Sequence, residues 1–382
     1  MRSLTIPIQA GRMTIVIRRE ELLLERCLTY ATRQNPKRRY LFVSKVLGKH
    51  WPVRPRVMRD IHQQLAEKIS RLSGPLLVIG MAETATALGR GVAEEAALQT
   101  GRDDILYLQT TRCRLSRPLA FGFDECHSHA PDHAVYLPDP ALQPLFRAAQ
   151  TLVLVDDEIS TGRTLAELAR ACLRLNPGIE QIALACITNW LSEAQQQELA
   201  TLLERPLLFP ALIEGSFQFE PDPQFPPPVL PWVADHPNRG HDDLVTDAAR
   251  TGLIAGRWSL PMDSLSPWES VRVRGNDQPL AIIGTGEYAY TPFRMALALE
   301  EQGYDVRYQS TTRSPILVGD AIARRREFLD NYGDGIPNYL YNLDPARLPV
   351  IVYEHPAMLA AHSLAGDLGG LALAVEESCR AS

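Results

Sequence analysis

The stretch that decides the fold of this chain is Thr151-Leu-Val-Leu-Val-Asp-Asp-Glu-Ile-Ser-Thr-Gly-Arg-Thr164. Its apolar run, Leu152 to Val155, is too short for a helix and is typical of a buried strand. The run ends in three acids, and a small, hydroxyl-rich turn follows at 160–164 before apolar residues recur at helical spacing. A strand, an acidic edge, a turn and a helix in this order predict one unit of an open α/β sheet.

The chemistry of this stretch indicates a sugar phosphate. A turn at a helix N-terminus presents backbone N–H groups and hydroxyls to a phosphate. The acids lie at the carboxyl end of the strand, where open α/β sheets bind ligands, and they would repel a phosphate unless they faced sugar hydroxyls or a metal. An ordinary strand followed by a helix capped by Ser160 or Thr161 is the alternative, but it leaves the two adjacent aspartates unexplained.

Length and composition favour a two-domain cytoplasmic protein. The chain has 382 residues, 45% of them hydrophobic, and a net charge of −6. The basic triplets at 37–39 and 324–326 are interpreted as solvated faces, so nucleic acid is not an expected partner. Six cysteines without a CxxC pair suit a reducing compartment, and no apolar run predicts a secretion signal or a membrane span.

Two further strand ends carry polar groups. After the apolar run at 76–79, a loop of small residues leads into a helix, which by the same argument is a second anion site. The strand predicted at 105–108 ends in Gln109-Thr-Thr-Arg112.

The segment of about 113–139 shows no clear period and predicts a lid or a disordered loop. It contains His127, His129 and His133 together with Arg114 and Arg117. The histidines are interpreted as acting on substrate, with His129 as a candidate catalytic residue. A zinc cluster of the three histidines is the alternative, although no predicted helix would hold their spacing rigid.

The second half of the chain repeats the first in degraded form. Pro75–Thr86 matches Pro279–Tyr290 at six of twelve positions, and three more matches follow in the same order. In the second copy, Tyr353-Glu354 replaces the paired aspartates and no Thr-Gly turn follows. That copy is therefore predicted to have lost the ability to bind a sugar phosphate. It is interpreted either as a partner that binds the second substrate or completes the first site, or as a copy kept for packing.

Val155-Asp-Asp-Glu-Ile-Ser-Thr-Gly-Arg-Thr164 resembles the signature of the type I phosphoribosyltransferases. The resemblance implies an α/β fold with a type I phosphoribosyltransferase-like parallel sheet flanked by helices, plus a second, degenerate α/β domain resembling the first. It implies that Asp156 and Asp157 hold the ribose hydroxyls of phosphoribosyl pyrophosphate. The 5-phosphate would be bound by Ser160, Thr161, Gly162, Arg163 and Thr164. The pyrophosphate, with Mg²⁺ as cofactor, would be bound by Ala82, Glu83 and Thr84 and stabilised by Arg112.

Thr312-Arg-Ser-Pro315 and Phe42-Val-Ser-Lys-Val-Leu-Gly-Lys-His50 make the chain similar to a two-domain subfamily from tellurite-resistance gene neighbourhoods. Its C-terminal domain is named for the TRSP motif. The expected division is a phosphoribosyltransferase domain at 1–218, a proline-rich linker at 219–235 and a TRSP domain at 236–382. Either a monomer or a homodimer fits, since the duplication could replace a dimer contact.

The predicted function is transfer of ribose 5-phosphate between phosphoribosyl pyrophosphate and a nitrogenous base-like acceptor in a nucleotide-like biosynthetic pathway. The substrates are small molecules, and the acceptor base is not identified. One alternative is a protein that senses a phosphoribosyl ligand without chemistry. The other is a hydrolase or phosphorylase that acts on the glycosidic bond of a nucleotide.

Overall fold

The computed structural model describes residues 2–123, 133–226, 229, 240–246, 248–257, 259, 266–275 and 278–375. The strands of the first half are β1 (Arg2–Ile8), β2 (Gly11–Glu20), β3 (Leu28–Thr32), β4 (Tyr40–Ser44), β5 (Leu76–Gly80), β6 (Ile105–Gln109), β7 (Leu119–Phe123), β8 (His133–Tyr136), β9 (Thr151–Ile159), β10 (Gln181–Asn189), β11 (Leu207–Leu208) and β12 (Ala211–Pro221). Its helices are α1 (Leu24–Cys27), α2 (Pro55–Ile69), α3 (Thr86–Thr100), α4 (Gln143–Ala148), α5 (Arg163–Leu175) and α6 (Glu193–Leu203).

The second half begins with a 3₁₀ turn, Ala248–Arg250. Its strands are β13 (Leu253–Ile254), β14 (Leu280–Gly284), β15 (Val306–Ser310), β16 (Arg325–Leu329), β17 (Pro337–Tyr341), β18 (Leu348–Tyr353) and β19 (Leu371–Ala374). Its helices are α7 (Ser266–Gly275), α8 (Tyr290–Glu301), α9 (Ala357–Ala361) and α10 (Leu364–Asp367).

A large mixed sheet flanked by helices forms the first half, in the order β1-β2-β12-β10-β9-β5-β6-β13. The strands from β12 to β6 run parallel, whereas β1, β2 and β13 are antiparallel additions at the edges. β5, β6 and the first five residues of β9 are buried throughout, as parallel strands covered on both faces require. The prediction of an α/β fold with a parallel sheet is confirmed.

A smaller parallel sheet forms the second half, in the order β15-β14-β18-β19. This order repeats β6-β5-β9-β10 of the first half. Gly80 on β5 lies opposite Val155 on β9, and Gly284 on β14 lies opposite Val352 on β18. The registers therefore place Tyr353 where the first copy has Asp156, as the sequence repeat predicts.

Matching hydrogen bonds show that the two halves share their local structure. The Tyr136 hydroxyl donates to the Cys113 carbonyl (3.0 Å) and accepts from the Leu115 N–H (2.8 Å). The Tyr341 hydroxyl makes the same two bonds in the second half: it donates to the Ser314 carbonyl (2.7 Å) and accepts from the Ile316 N–H (2.8 Å). The second half is a degenerate α/β copy of the first.

The two halves pack against each other through helix α8. Helix α8 contacts α2 and α3, and a shared apolar cluster joins Val53, Met58 and Ala87 to the core of the second half. The loop before α2 also runs along β15, where the Ser310 N–H donates to the Gly48 carbonyl (2.6 Å). This packing brings residues 45–53 close to the second half.

The segment predicted as an aperiodic lid contains a hairpin, because β7 and β8 pair in antiparallel fashion. Its counterpart in the second half is the β16–β17 hairpin. Strands this short, joined through a long connection, leave too few alternating residues for a sequence pattern to show. His127 and His129 lie outside the described residues, so the interpretations placed on them stay predictions.

The predicted linker is structured at its start. β12 runs on to Pro221, which lies opposite Gly11 at the far end of β2. Beyond the linker, β13 pairs with β6 and thus adds a strand to the first sheet, although the sequence places it in the second domain. The assigned domain boundaries stay predictions. Among the described residues, no helix is long and apolar enough to cross a membrane.

Candidate active site

A cavity of about 240 Å³ opens at the carboxyl ends of β5, β6 and β9. Its walls come from both halves of the chain. The first half contributes residues 33–35, 38, 41–42, 50, 81–84, 112 and 156–165, and the second half contributes 312–315, 336–337 and 339. The TRSP motif therefore lines the same cavity as the paired aspartates.

The floor of the cavity is the end of β9 and the turn that follows it. Asp156 and Asp157 are partly buried, and the Asp157 N–H donates to Oδ1 of Asp156 (2.9 Å). Gly162 has a φ of +69°, and a Cβ there would lie 2.6 Å from Cδ1 of Leu199. Only glycine fits this left-handed corner, which starts α5 so that its first N–H groups face the cavity. The turn can hold a phosphate.

Burial, and after it the neighbouring Glu158, raise the pKa of Asp157 to about 7. A carboxylate held next to a second one in a partly enclosed site resists ionisation. The folded protein thus binds a proton near neutral pH that the unfolded chain, with an ordinary aspartate, has already released.

This shift predicts that Asp157→Asn stabilises the protein at pH 8. The folded-state pKa is raised, so the stability linked to the bound proton is complete below about pH 4 and is lost as pH rises through about 7. At about 1.4 kcal/mol per pKa unit, Asp157→Asn should raise the free energy of unfolding by about 2–4 kcal/mol at pH 8 and by much less at pH 5. Urea unfolding at both pH values measures the difference, and equal gains at the two would contradict the shift.

Glu158, the third acid, turns to Arg38 and forms an ion pair with it. Burial disfavours the charge of Arg38, but Glu158 outweighs this and raises the pKa of the guanidinium. Arg38 is therefore an exception to the prediction of a solvated basic face at 37–39. Because Glu158 is engaged by this arginine, its role here is to attach the β3–β4 hairpin to the site.

The loop after β5 is anchored by the neighbouring strands. The Met81 N–H donates to the Val155 carbonyl (3.0 Å), and the Ala82 N–H donates to the Thr110 hydroxyl (2.8 Å). Helix α3 follows at Thr86, so residues 82–84 lie on the cavity wall at a helix N-terminus. An anion bound there would lie at the positive end of the helix dipole.

His133 connects this loop to Arg112. Nη2 of Arg112 lies 3.1 Å from Nε2 of His133, and Nδ1 of His133 lies 3.2 Å from the Thr110 hydroxyl. Arginine only donates, so Nε2 accepts and Nδ1 carries the proton that bonds to Thr110. The buried histidine thereby orients Arg112 relative to the Ala82 N–H, and both of its ring nitrogens have protein partners.

Glu83 projects among cations. Nζ of Lys49 lies 3.1 Å from Oε1 of Glu83, and it donates to the Gly286 carbonyl of the second half (2.9 Å). Burial alone would raise the pKa of Glu83, but Lys49, then Arg313 and Arg112, hold it at about 2. Burial lowers the pKa of Lys49, and Glu83 opposes that shift. The pair keeps a carboxylate beside an anion site without repulsion.

The corresponding site of the second half is filled by the protein itself. Arg250 is fully buried and bonds to Glu354 (3.0 Å), the counterpart of Asp157, and to Glu287 (3.3 Å), the counterpart of Glu83. Glu287 also accepts from the Thr111 hydroxyl (2.5 Å) and the Arg112 N–H (2.7 Å). The second copy holds an arginine where the first holds an open cavity, and its glutamate supports the backbone of Arg112.

Every predicted site residue that the structure describes lines the cavity. Those that line the cavity are Ala82, Glu83, Thr84, Arg112, Asp156, Asp157, Ser160, Thr161, Gly162, Arg163 and Thr164. His129 lies outside the described residues. Sequence reasoning missed Arg38 and Arg33, which reach the cavity from the β3–β4 hairpin, and the pairing of Lys49 with Glu83. The two lysines and the histidine at 45–50 were the available signal for Lys49.

Comparisons with known proteins agree with this architecture. Residues 27–216 match the family model described as phosphoribosyl transferase, and residues 263–365 match the model described as the TRSP domain C-terminal to it. No curated protein matches the chain.

Several solved structures are similar to part of the chain. One is adenine phosphoribosyl transferase from Trypanosoma brucei, in complex with AMP, pyrophosphate and ribose-5-phosphate, with 14% identity, 49% of this chain and 76% of that chain covered, and a TM-score of 0.34. Another is APRTase from Giardia lamblia complexed with 9-deazaadenine, with 16% identity, 42% and 80% covered, and a TM-score of 0.30. A third is orotate phosphoribosyltransferase from Francisella tularensis, with 13% identity, 45% and 69% covered, and a TM-score of 0.29.

Family membership is established by the two matched segments, which lie in the expected order and together span most of the chain. The protein belongs to the two-domain family in which a phosphoribosyl transferase domain is followed by a TRSP domain.

Proposed function

We propose that the protein is an enzyme that transfers ribose 5-phosphate between phosphoribosyl pyrophosphate and a nitrogenous base-like acceptor. The observation that carries the proposal is the single cavity that joins the paired aspartates, the 160–164 turn, the 82–84 loop and Arg112. These groups suit the hydroxyls, the 5-phosphate and the pyrophosphate of one molecule. Phosphoribosyl pyrophosphate is a ligand with all three.

The forward reaction exchanges one bond at C1 of the sugar. The C1–oxygen bond breaks and its electron pair leaves with pyrophosphate, while the lone pair of the acceptor nitrogen forms the new C1–N bond and a proton is released from that nitrogen to solvent. Positive charge develops on the ribose and negative charge on the leaving group. Asp156 and Asp157 favour the first by their charge and by orienting the hydroxyls, and Arg112 favours the second.

Mg²⁺ fits this site as a partner of the substrate. Among the described residues, no group of three or more His, Cys, Asp or Glu side chains could hold a metal ion. Magnesium commonly binds through one or two carboxylates plus substrate phosphates and waters, so Asp156 or Asp157 would hold it together with the pyrophosphate of the substrate. When bound, Mg²⁺ would offset charge on the pyrophosphate by Lewis-acid stabilisation.

The proposal predicts that, with Mg²⁺ present, the protein releases pyrophosphate from phosphoribosyl pyrophosphate only when a suitable acceptor is added. A panel of purine, pyrimidine and smaller nitrogen heterocycles, scored for pyrophosphate release and for a phosphoribosylated product, tests it. If the protein bound phosphoribosyl pyrophosphate but released no pyrophosphate with any acceptor, the sensor alternative would be favoured. Cleavage of nucleotides without phosphoribosyl pyrophosphate would favour a hydrolase or phosphorylase. A chain that binds neither phosphoribosyl pyrophosphate nor ribose 5-phosphate would contradict the proposal.

A further inference from the structure

Arg313, of the TRSP motif, lines the cavity with residues 82–84 and Arg112. It follows β15 of the second half, as Arg112 follows β6 of the first. The backbone around the two arginines is matched, since Thr111 bridges to Ala134 and Thr312 bridges to Tyr339. The two arginines therefore hold equivalent positions in the two copies.

Both arginines converge on the same loop. Arg313 and Arg112 each lower the pKa of Glu83, the central residue of the 82–84 loop. The second copy reaches this region from the other direction, because Gly286 binds Lys49 and Glu287 binds the Arg112 N–H. One cation from each half of the chain therefore acts on this loop and lines the same cavity.

Among the residues that the structure describes, none accepts a hydrogen bond from the guanidinium of Arg313. Within the described parts of the chain, neither Glu83 nor Glu287 accepts a hydrogen bond from it, although both raise its pKa against the effect of burial. Glu83 is paired with Lys49, and Glu287 is held by Arg250 and Thr111. The fork of donors on Arg313 is therefore available to a ligand in the cavity.

We propose that Arg313 is a catalytic residue from the second half that binds the pyrophosphate group of phosphoribosyl pyrophosphate opposite Arg112. The inference rests on the proposed function. A guanidinium can bind two phosphate oxygens at once, which suits a diphosphate placed between two arginines. Because negative charge grows on pyrophosphate as the C1–oxygen bond breaks, the contact strengthens in the transition state. The TRSP domain then supplies part of the leaving-group site.

The test compares Arg313→Gln with Arg326→Gln, which removes an exposed arginine from the same half. Calorimetric titrations use inorganic pyrophosphate and, separately, ribose 5-phosphate, each with Mg²⁺. Arg313→Gln should weaken pyrophosphate binding by about 10- to 100-fold, the range for a lost charge-assisted pair, and leave ribose 5-phosphate binding within twofold. Arg326→Gln should change neither, and Arg313→Lys should restore part of the pyrophosphate affinity.

Unchanged pyrophosphate affinity in Arg313→Gln would overturn the inference, while leaving the proposed function intact. Equal loss of both ligands would overturn it too, since a contact with the leaving group should spare the sugar phosphate. If the unaltered protein bound neither ligand, the proposed function itself would fail. The binding titrations therefore separate the two failures.

Discussion

Asp157→Asn is expected to lower kcat for phosphoribosyl transfer by about 10²- to 10³-fold, the range seen when one electrostatic contact to a transition state is removed. The amide keeps the size of the carboxylate but supplies no negative charge to the ribose as its C1 becomes cationic. It also replaces one hydroxyl acceptor by a donor. Phosphoribosyl transfer measured at pH 8, where the native carboxylate is ionised, is the assay.

The activity loss should come with a gain in stability, which distinguishes it from misfolding. Asp157 is raised in pKa by burial and by Glu158, so removal of its charge relieves the folded state at pH 8. Asp60→Asn is the matched control, because Asp60 is exposed on α2 away from the cavity. Native turnover in Asp157→Asn would contradict the assignment of the ribose site.

The native rate should also rise with pH through about 7 as Asp157 ionises, and the variant should lack that rise.

Arg250→Met is expected to lower the free energy of unfolding by about 3–5 kcal/mol, the cost of breaking a buried ion pair from one side. Arg250 and Glu354 are both 0% exposed, and Glu287 is 6% exposed. Methionine fills a similar volume but leaves both carboxylates buried without this cation. Urea unfolding at pH 7 measures the loss, and Arg257→Met, an exposed arginine of the same segment, should stay within about 0.5 kcal/mol.

A triple variant shows whether Arg250 stabilises the protein through its ion pairs or through its packing. Adding Glu287→Gln and Glu354→Gln to Arg250→Met removes the uncompensated carboxylates and should recover at least half of the lost stability. No recovery would show that Arg250 stabilises the protein by shape alone.

The core motif could be predicted because its signals are local. A short apolar run, two acids and a glycine turn are adjacent in the chain, and the structure places them at the end of β9 as the pattern requires. The repeat could also be detected in the sequence, because the two copies keep their alignment: the register of β5 with β9 matches that of β14 with β18. The structure thus agrees with the sequence pattern where the residues that determine a feature lie close together in the chain.

The remaining features depend on contacts that spacing does not encode. Arg38 meets Glu158 across 120 residues, and Lys49 meets Gly286 across 237. The sequence around Arg250 does not indicate that its side chain fills the corresponding site of the second copy, because its partners lie 37 and 104 residues away. Burial of a charge is a property of the assembled fold, and only the structure shows where each charge finds its partner.

The tyrosine–glutamate pair in place of a second set of aspartates has a consequence for how such a protein can change. In a symmetric homodimer every substitution appears in both subunits, so a residue needed for chemistry cannot be exchanged in one alone. Covalent fusion of two copies removes that restriction. Here one copy retains the acids at the end of β9, while the other carries Tyr353 and Glu354 and has its corner occupied by Arg250. Each copy can therefore change independently: the first keeps the acids of the open cavity, and the second fills its own corner with Arg250 and adds the TRSP motif to the cavity wall.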